Sequence, residues 1–225
     1  MRRGLTLWGL AVFCVLVLLG SPAAFWVRGF SWPAGWAPQG VSGTLWQGQA
    51  QRMGQLSALS WSLSPSLDGV LGEWRGVALE HQWQLRLKGW PWAWNARLEA
   101  LGHVPQAATA VRVAGNWQGH VQVHGAGAHC VNSEGELFAP RLALLAPWGM
   151  PLGAARLSLD CQASVRLKAS LLQPGMHQLG FDGDLPARRA ALSGDFEEAS
   201  ELAALLRQFG LLQSTQRHFA KTLDW

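Results

Sequence analysis

Apolar and polar residues alternate with a period of two through most of this chain, and that pattern limits what it can fold into. In Leu59-Ser60-Trp61-Ser62-Leu63 the bulky apolar residues point one way and the serines the other. A strand with one buried face gives this pattern. Gly72–Lys88 repeats it at greater length, with Trp83, Leu85 and Leu87 set against Gln82, Gln84, Arg86 and Lys88. In Trp92–Leu101 the apolar set is Trp92, Trp94, Ala96 and Leu98, opposed by Asn95, Arg97 and Glu99. Glycines, 26 of them, fall between such runs as they do at turns and bulges.

The same reading predicts strands over Gly43–Arg52 and Gln55–Leu63. Ser64-Pro65 offers a helix cap followed by proline, so a short helical turn over Ser66–Leu71 is expected. Ala110–Ala114 and Asn116–His124 read as a hairpin around Gly115. Later strands are expected over Glu136–Leu145, Ala154–Cys161, Ala163–Leu171, His177–Asp182 and Ala187–Phe196, with a last one over Thr215–Trp225. After the N-terminal region, one stretch has helical spacing: in Glu197–Gly210, Leu202, Leu205, Leu206 and Phe209 form a stripe. Glu197, Glu198 and Glu201 open it and Arg207 closes it, matching the helix dipole. The fold class is therefore mainly β, an antiparallel sheet with one C-terminal amphipathic helix.

The N-terminus is different. Leu5 to Val27 is a nearly unbroken apolar run behind Met1-Arg2-Arg3. About 20 apolar residues span a bilayer core, and the leading arginines favour a cytoplasmic N-terminus. A transmembrane anchor over residues 1–27 is expected, then a connector over 28–39 and an exported domain over 40–225. The competing reading is a cleavable signal ending at Ser21-Pro22-Ala23. Phe25, Trp26, Phe30, Trp32 and Trp36 continue the run like an interfacial aromatic belt, which favours the uncleaved anchor. Both readings export the domain.

Charged residues make up only 14% of the chain and the net charge is +4. No basic cluster extends beyond Arg188-Arg189, so nucleic acid is not an expected partner. Cys14 lies inside the apolar run, whereas Cys130 and Cys161 both fall in the expected exported domain. Two such cysteines pair in an oxidising compartment, and a disulfide is expected between them.

His120, His124, His129 and Cys130 suggest a metal, but two strand histidines leave a tetrahedral set incomplete. Asn116, Gln118, His120, Gln122 and His124 form one polar strand face instead. Asp182 and Asp184, in G-F-D-G-D-L-P, read as a turn between strands. No nucleophile elbow, metalloprotease or phosphate-loop pattern is present in the sequence, so no catalytic residue, metal or cofactor is expected. Trp90, Trp92 and Trp94 form a candidate interaction surface. Against it stands sheet packing, since Trp92 and Trp94 share a strand face.

Two quoted stretches carry a family resemblance. Gly40-Val41-Ser42-Gly43-Thr44-Leu45-Trp46-Gln47-Gly48-Gln49-Ala50 is followed by Leu59-Ser60-Trp61-Ser62-Leu63-Ser64-Pro65. Behind a lone apolar segment, this resembles protein N of the bacterial type II secretion system. The resemblance implies an accessory inner-membrane part of a secretion machine, without enzymatic activity, whose partners are other subunits of that machine. It also supports the Cys130–Cys161 pair, because some members carry a comparable one. The alternative function is a membrane-anchored lipid-binding or lipid-transfer protein. That role needs an apolar trough that the C-terminal helix leaves uncovered.

Overall fold

A computed structural model describes residues 8–10, 12, 13, 17, 20–33, 35–104, 112–162, 164–208, 212, 213 and 216–224. Much of the expected span Leu5–Val27 lies outside the described residues. Among those described, no helix is long and apolar enough to cross a membrane. Ala110, Val111, Ala163, Phe209, Gly210, Thr215 and Trp225, which the expected elements include, also lie outside them.

The chain runs through α1 (Ala23–Gly29), β1 (Ser42–Gly43), β2 (Gln47–Met53), β3 (Leu56–Ser66), β4 (Gly69–Ala78), β5 (His81–Trp90) and β6 (Ala93–His103). It continues through β7 (Arg112–Ala114), β8 (Gln118–Ala126), β9 (His129–Glu134), β10 (Leu137–Ala146), β11 (Met150–Asp160) and β12 (Arg166–Gln173). Then come β13 (His177–Asp184), β14 (Arg189–Phe196), α2 (Glu201–Gln208) and β15 (His218–Asp224). From β1 to β6 and from β10 to β15 each strand pairs antiparallel with the next in the chain. The result is an open antiparallel meander.

The alternation read from the sequence becomes rows of side chains across strands. Trp61, Trp74, Leu85, Leu98 and Val121 stand side by side on one face of β3, β4, β5, β6 and β8. Ser60, Arg75, Gln84, Glu99 and His120 form the matching row on the other face. There a ladder of ion pairs and hydrogen bonds runs from Arg75 to Glu73, on through the Gln84 amide to Arg86, and then to Glu99 and Arg97. In the second half, Ala139, Ala155, Leu171, Leu179, Gly194 and Phe219 continue the apolar face. Val113, Trp117 and Leu152 pack over its first part. Leu202, Ala203 and Leu206 of α2 pack with Phe196, Leu212 and Phe219 over its last part.

The two halves meet at a narrow joint. β6 pairs with β8, β9 folds back onto β8, and β7 joins β10 instead of β8. β8 and β10 touch only through Leu137↔Gly119 and Phe138↔Gln118. Leu137, at the joint, is fully buried, worth about 2 kcal/mol of hydrophobic stabilisation by itself.

Several expected elements are corrected. Ser66–Leu71 is not helical: β3 runs through Pro65 to Ser66 and turns at Leu67-Asp68 into β4. Proline is tolerated there because it lies at a strand end. Gly72–Lys88 is two strands, broken by a two-residue turn in which both Leu79 (φ 51°) and Glu80 (φ 62°) are left-handed. That is the turn twist a tight hairpin requires. The expected hairpin around Gly115 does not form, because β7 pairs with β10. The C-terminal helix starts at Glu201, where Ser200 caps it: Oγ accepts the Ala203 amide at 3.3 Å.

Candidate functional site

The segment Gly40–Pro65, which holds both motif stretches, builds β1, β2 and nearly all of β3 at one edge of the sheet. Trp61 lies directly across from Gly48, and a Cβ at Gly48 would collide with the indole ring. The ring therefore lies flat over the glycine, and its Nε1 donates to Thr44 O and Leu45 O, each at 3.2 Å. Thr44 closes the β1–β2 turn through its amide to Gln47 O at 2.8 Å, while Ala50 is buried beneath. Glycine, tryptophan, threonine and alanine at these spacings form a clip that holds the first three strands together.

The N-terminal segment lies on this end of the apolar face. Pro22 bridges Thr44 at one end of the first half-sheet, and Gln39 bridges Arg52 at the other. Between them Ala23 is buried, and Trp26 and Trp32 donate to Ser21 Oγ at 2.7 Å and Val27 O at 2.9 Å. Val27, Trp32 and Pro38 roof a groove of about 470 Å³ whose floor includes Leu59, Trp74 and Leu98. Phe25 and Phe30 stay exposed on its outer side.

The joint is clamped on both sides. On one side Cys130, in β9, is bonded to Cys161, just past β11, with Cα atoms 5.5 Å apart. Ser133 Oγ donates to Leu159 O nearby at 2.6 Å. On the other side Glu80, fully buried, accepts from Arg112 Nε at 2.7 Å. His81, also buried, sets its Nε2 2.8 Å from Gly115 O and its Nδ1 2.9 Å from Leu79 O.

The three tryptophans do not make one surface. Trp90 and Trp92 stack with centroids 5.2 Å apart and planes 2° from parallel. Trp94 pairs with Gly89 and Gly125 on the opposite, apolar face. Its indole covers Gly125, and its Nε1 donates to Gly127 O at 2.9 Å. Trp92 lies in the turn and not on β6, so it follows Trp90 and not Trp94.

A family model for the type II secretion system (T2SS), protein N, matches residues 34–217. The chain belongs to the type II secretion system protein N family. No curated protein and no solved structure matches it. The family match spans both half-sheets and the joint between them, so the clamps belong to the protein N domain itself.

His124, Asp182 and Asp184 have structural partners. His124 lies beside Asn95 Nδ2 at 3.2 Å and Gln122 Nε2 at 3.1 Å. Among the described residues no group of three or more His, Cys, Asp or Glu side chains is placed to hold a metal. Asp182 pairs with Arg166 at 3.3 Å. Asp184 accepts from the Ala187 amide and the Ser164 hydroxyl, each at 2.9 Å, and these bonds hold its carboxyl below the usual carboxylate range. Lys168 at 2.8 Å and the Gln162 amide do the same for Asp160. His177 and Ser200 are both buried, with Ser200 Oγ occupied at the helix cap.

Glu80, His81, Arg112 and Gly115 form the half of the clamp that no sequence pattern indicated. Their one visible signal was an acidic residue inside a run otherwise read as continuous strand.

Proposed function

We propose that this protein N family member is an accessory subunit of the secretion machine, held in the inner membrane by its N-terminal segment with the sheet in the periplasm. It works by contact with other subunits and not by catalysis. The observation that carries this reading is the family match over residues 34–217, which takes in every strand of the sheet but the last. The described residues ahead of the sheet support the anchor. Trp8, Leu10, Phe13 and Val17 are all exposed, an apolar surface that suits lipid better than water. The buried, clamped joint supports a stiff scaffold, and the charged ladder on the outer face offers a polar contact surface.

The test is native mass spectrometry of the detergent-solubilised chain purified from its own membranes. Other secretion subunits at fixed stoichiometry support the scaffold role. Their absence, with a lipid bound instead, refutes it.

A second reading, lipid binding, has one observation in its favour: the apolar groove beneath Val27 and Trp32. Lipid transfer along the sheet is less favoured, because α2 packs over the apolar face of the second half. The groove is bounded, and its size falls within the range of about 300–1,000 Å³ usual for small-molecule sites.

A further inference from the structure

The register of the first half-sheet gathers several features at one of its ends. The β1–β2 turn lies there, next to the point where Pro22 bridges Thr44 and the N-terminal apolar segment leaves the sheet. Because Gln47 pairs with Ser62 and Ser66 with Gly69, the β3–β4 turn at Leu67-Asp68 points the same way. Val70 pairs with Gly89 and Trp90 with Ala93, which brings the β5–β6 turn at Pro91-Trp92 to that end too. The β8–β9 turn follows, tied to it by the Gly127 amide donating to Pro91 O at 2.8 Å.

This rim is apolar where a free hairpin end is ordinarily polar. Leu67 is 100% exposed and Trp92 67% exposed, and Trp90 stacks on Trp92. The charge in the first tip, Asp68, is paired with Lys88 at 3.5 Å. The second half-sheet ends differently on this side. Its termini there are charged: Asp160 pairs with Lys168 and Arg189 with Asp224, while Asp184 accepts from the Ser164 hydroxyl. They are also set back along the strands, since β10 begins beside the first residues of β8.

We propose that the rim formed by Leu67, Trp90 and Trp92 seats in the headgroup region of the membrane that holds the N-terminal segment, so that the sheet stands end-on to the bilayer. The occupant is a lipid surface and not a protein, because the chain itself enters its apolar segment at this same end. That places lipid within reach of the rim. Indole rings at the water boundary have one apolar and one polar side to satisfy, which the headgroup layer does. Leu67, fully exposed in the turn level with theirs, inserts beside them. The charged ends of the second half-sheet stay in water. The proposal rests on the anchored reading above.

The experiment uses the full chain in vesicles of its native phospholipids, with a photo-crosslinking residue introduced by Leu67→p-benzoyl-Phe, Trp92→p-benzoyl-Phe or Leu79→p-benzoyl-Phe. Leu79 is also exposed but sits in the β4–β5 turn at the opposite end. Lipid adducts at positions 67 and 92 and their absence at 79 are expected. Equal lipid labelling at 79, or labelling of protein alone at 67 and 92 when whole native membranes are used, overturns the proposal. Alkaline carbonate extraction of the same vesicles separates the two readings. A chain that washes off refutes the anchor, whereas a chain that is retained but unlabelled by lipid at the rim refutes the seating alone. All three sites are solvent-facing turn positions, and retention of the Cys130–Cys161 bond checks that each variant is folded.

Discussion

Replacing Cys130 and Cys161 together by alanine should remove a restraint at the weakest point of the sheet. The two cysteines are 31 residues apart in sequence, and closing a loop of that length lowers the entropy of the unfolded chain enough to contribute about 3.7 kcal/mol. The native state also loses a covalent tie between half-sheets whose strands β8 and β10 pair directly at only two positions. Denaturant unfolding of the detergent-solubilised chain, followed by tryptophan fluorescence, measures the first effect. Trp83 and Trp117, with centroids 5.7 Å apart across the joint, report on it directly. Amide exchange measures the second: protection of β9 and of Leu137 and Phe138 should fall before that of β12–β14. If the double variant loses less than about 1 kcal/mol, the loop-entropy account is wrong for this chain. Uniform loss of protection across both halves would refute the joint as the weak point.

Arg112→Ala should cost about 3 kcal/mol, because it leaves the fully buried Glu80 carboxylate unpaired; adding Glu80→Gln should restore part of the loss, and thermal melts decide. Gly48→Ala should destabilise by about 1–3 kcal/mol through collision with the Trp61 ring and with Ser42 O, and because the backbone oxygen stays in the way, adding Trp61→Leu should not restore the original stability, which a denaturant series checks. Asp160 and Asp184 both have depressed folded pKa values, so their stabilisation is complete above the unfolded value of about 3.9 and is lost as pH falls through the folded values. The unfolding midpoint should therefore hold steady from neutrality to about pH 4 and drop below it, and Asp160→Asn should shallow that drop.

The strands themselves were legible because burial alternates in them. Leu59, Trp61 and Leu63 are half-buried between exposed Ala58, Ser60 and Ser62, as their spacing implied. Turns made without glycine, asparagine or aspartate-glycine pairs were not legible. Leu79 and Glu80 adopt left-handed backbone although neither favours it, and the ion pair of buried Glu80 with the part-exposed Arg112 is a tertiary contact that local pattern does not encode. The same applies to β7, whose three residues gain a partner some 30 positions away in β10 instead of the nearer β8. β9 was not legible because its mostly exposed residues carry little alternation. Among the candidate residues, the cysteines were placed by compartment chemistry. The split of Trp90 and Trp92 from Trp94 turned on where the turn falls: Trp92 lies in it, so the strand alternation does not carry from Trp92 to Trp94.

The meander has a consequence for how the chain is made. Strand partners are neighbours in sequence nearly everywhere, so a chain growing from its N-terminus can zip up hairpin by hairpin without waiting for distant residues. The exceptions cluster at the joint. β7 has no strand to lie against until β10 has been synthesised, and Cys130 has no partner until Cys161 follows. Until β10 follows, the first half-sheet carries an unpaired short strand at its growing edge, and until Cys161 follows it carries a free thiol. That interval is when a chaperone or thiol oxidant has most to act on.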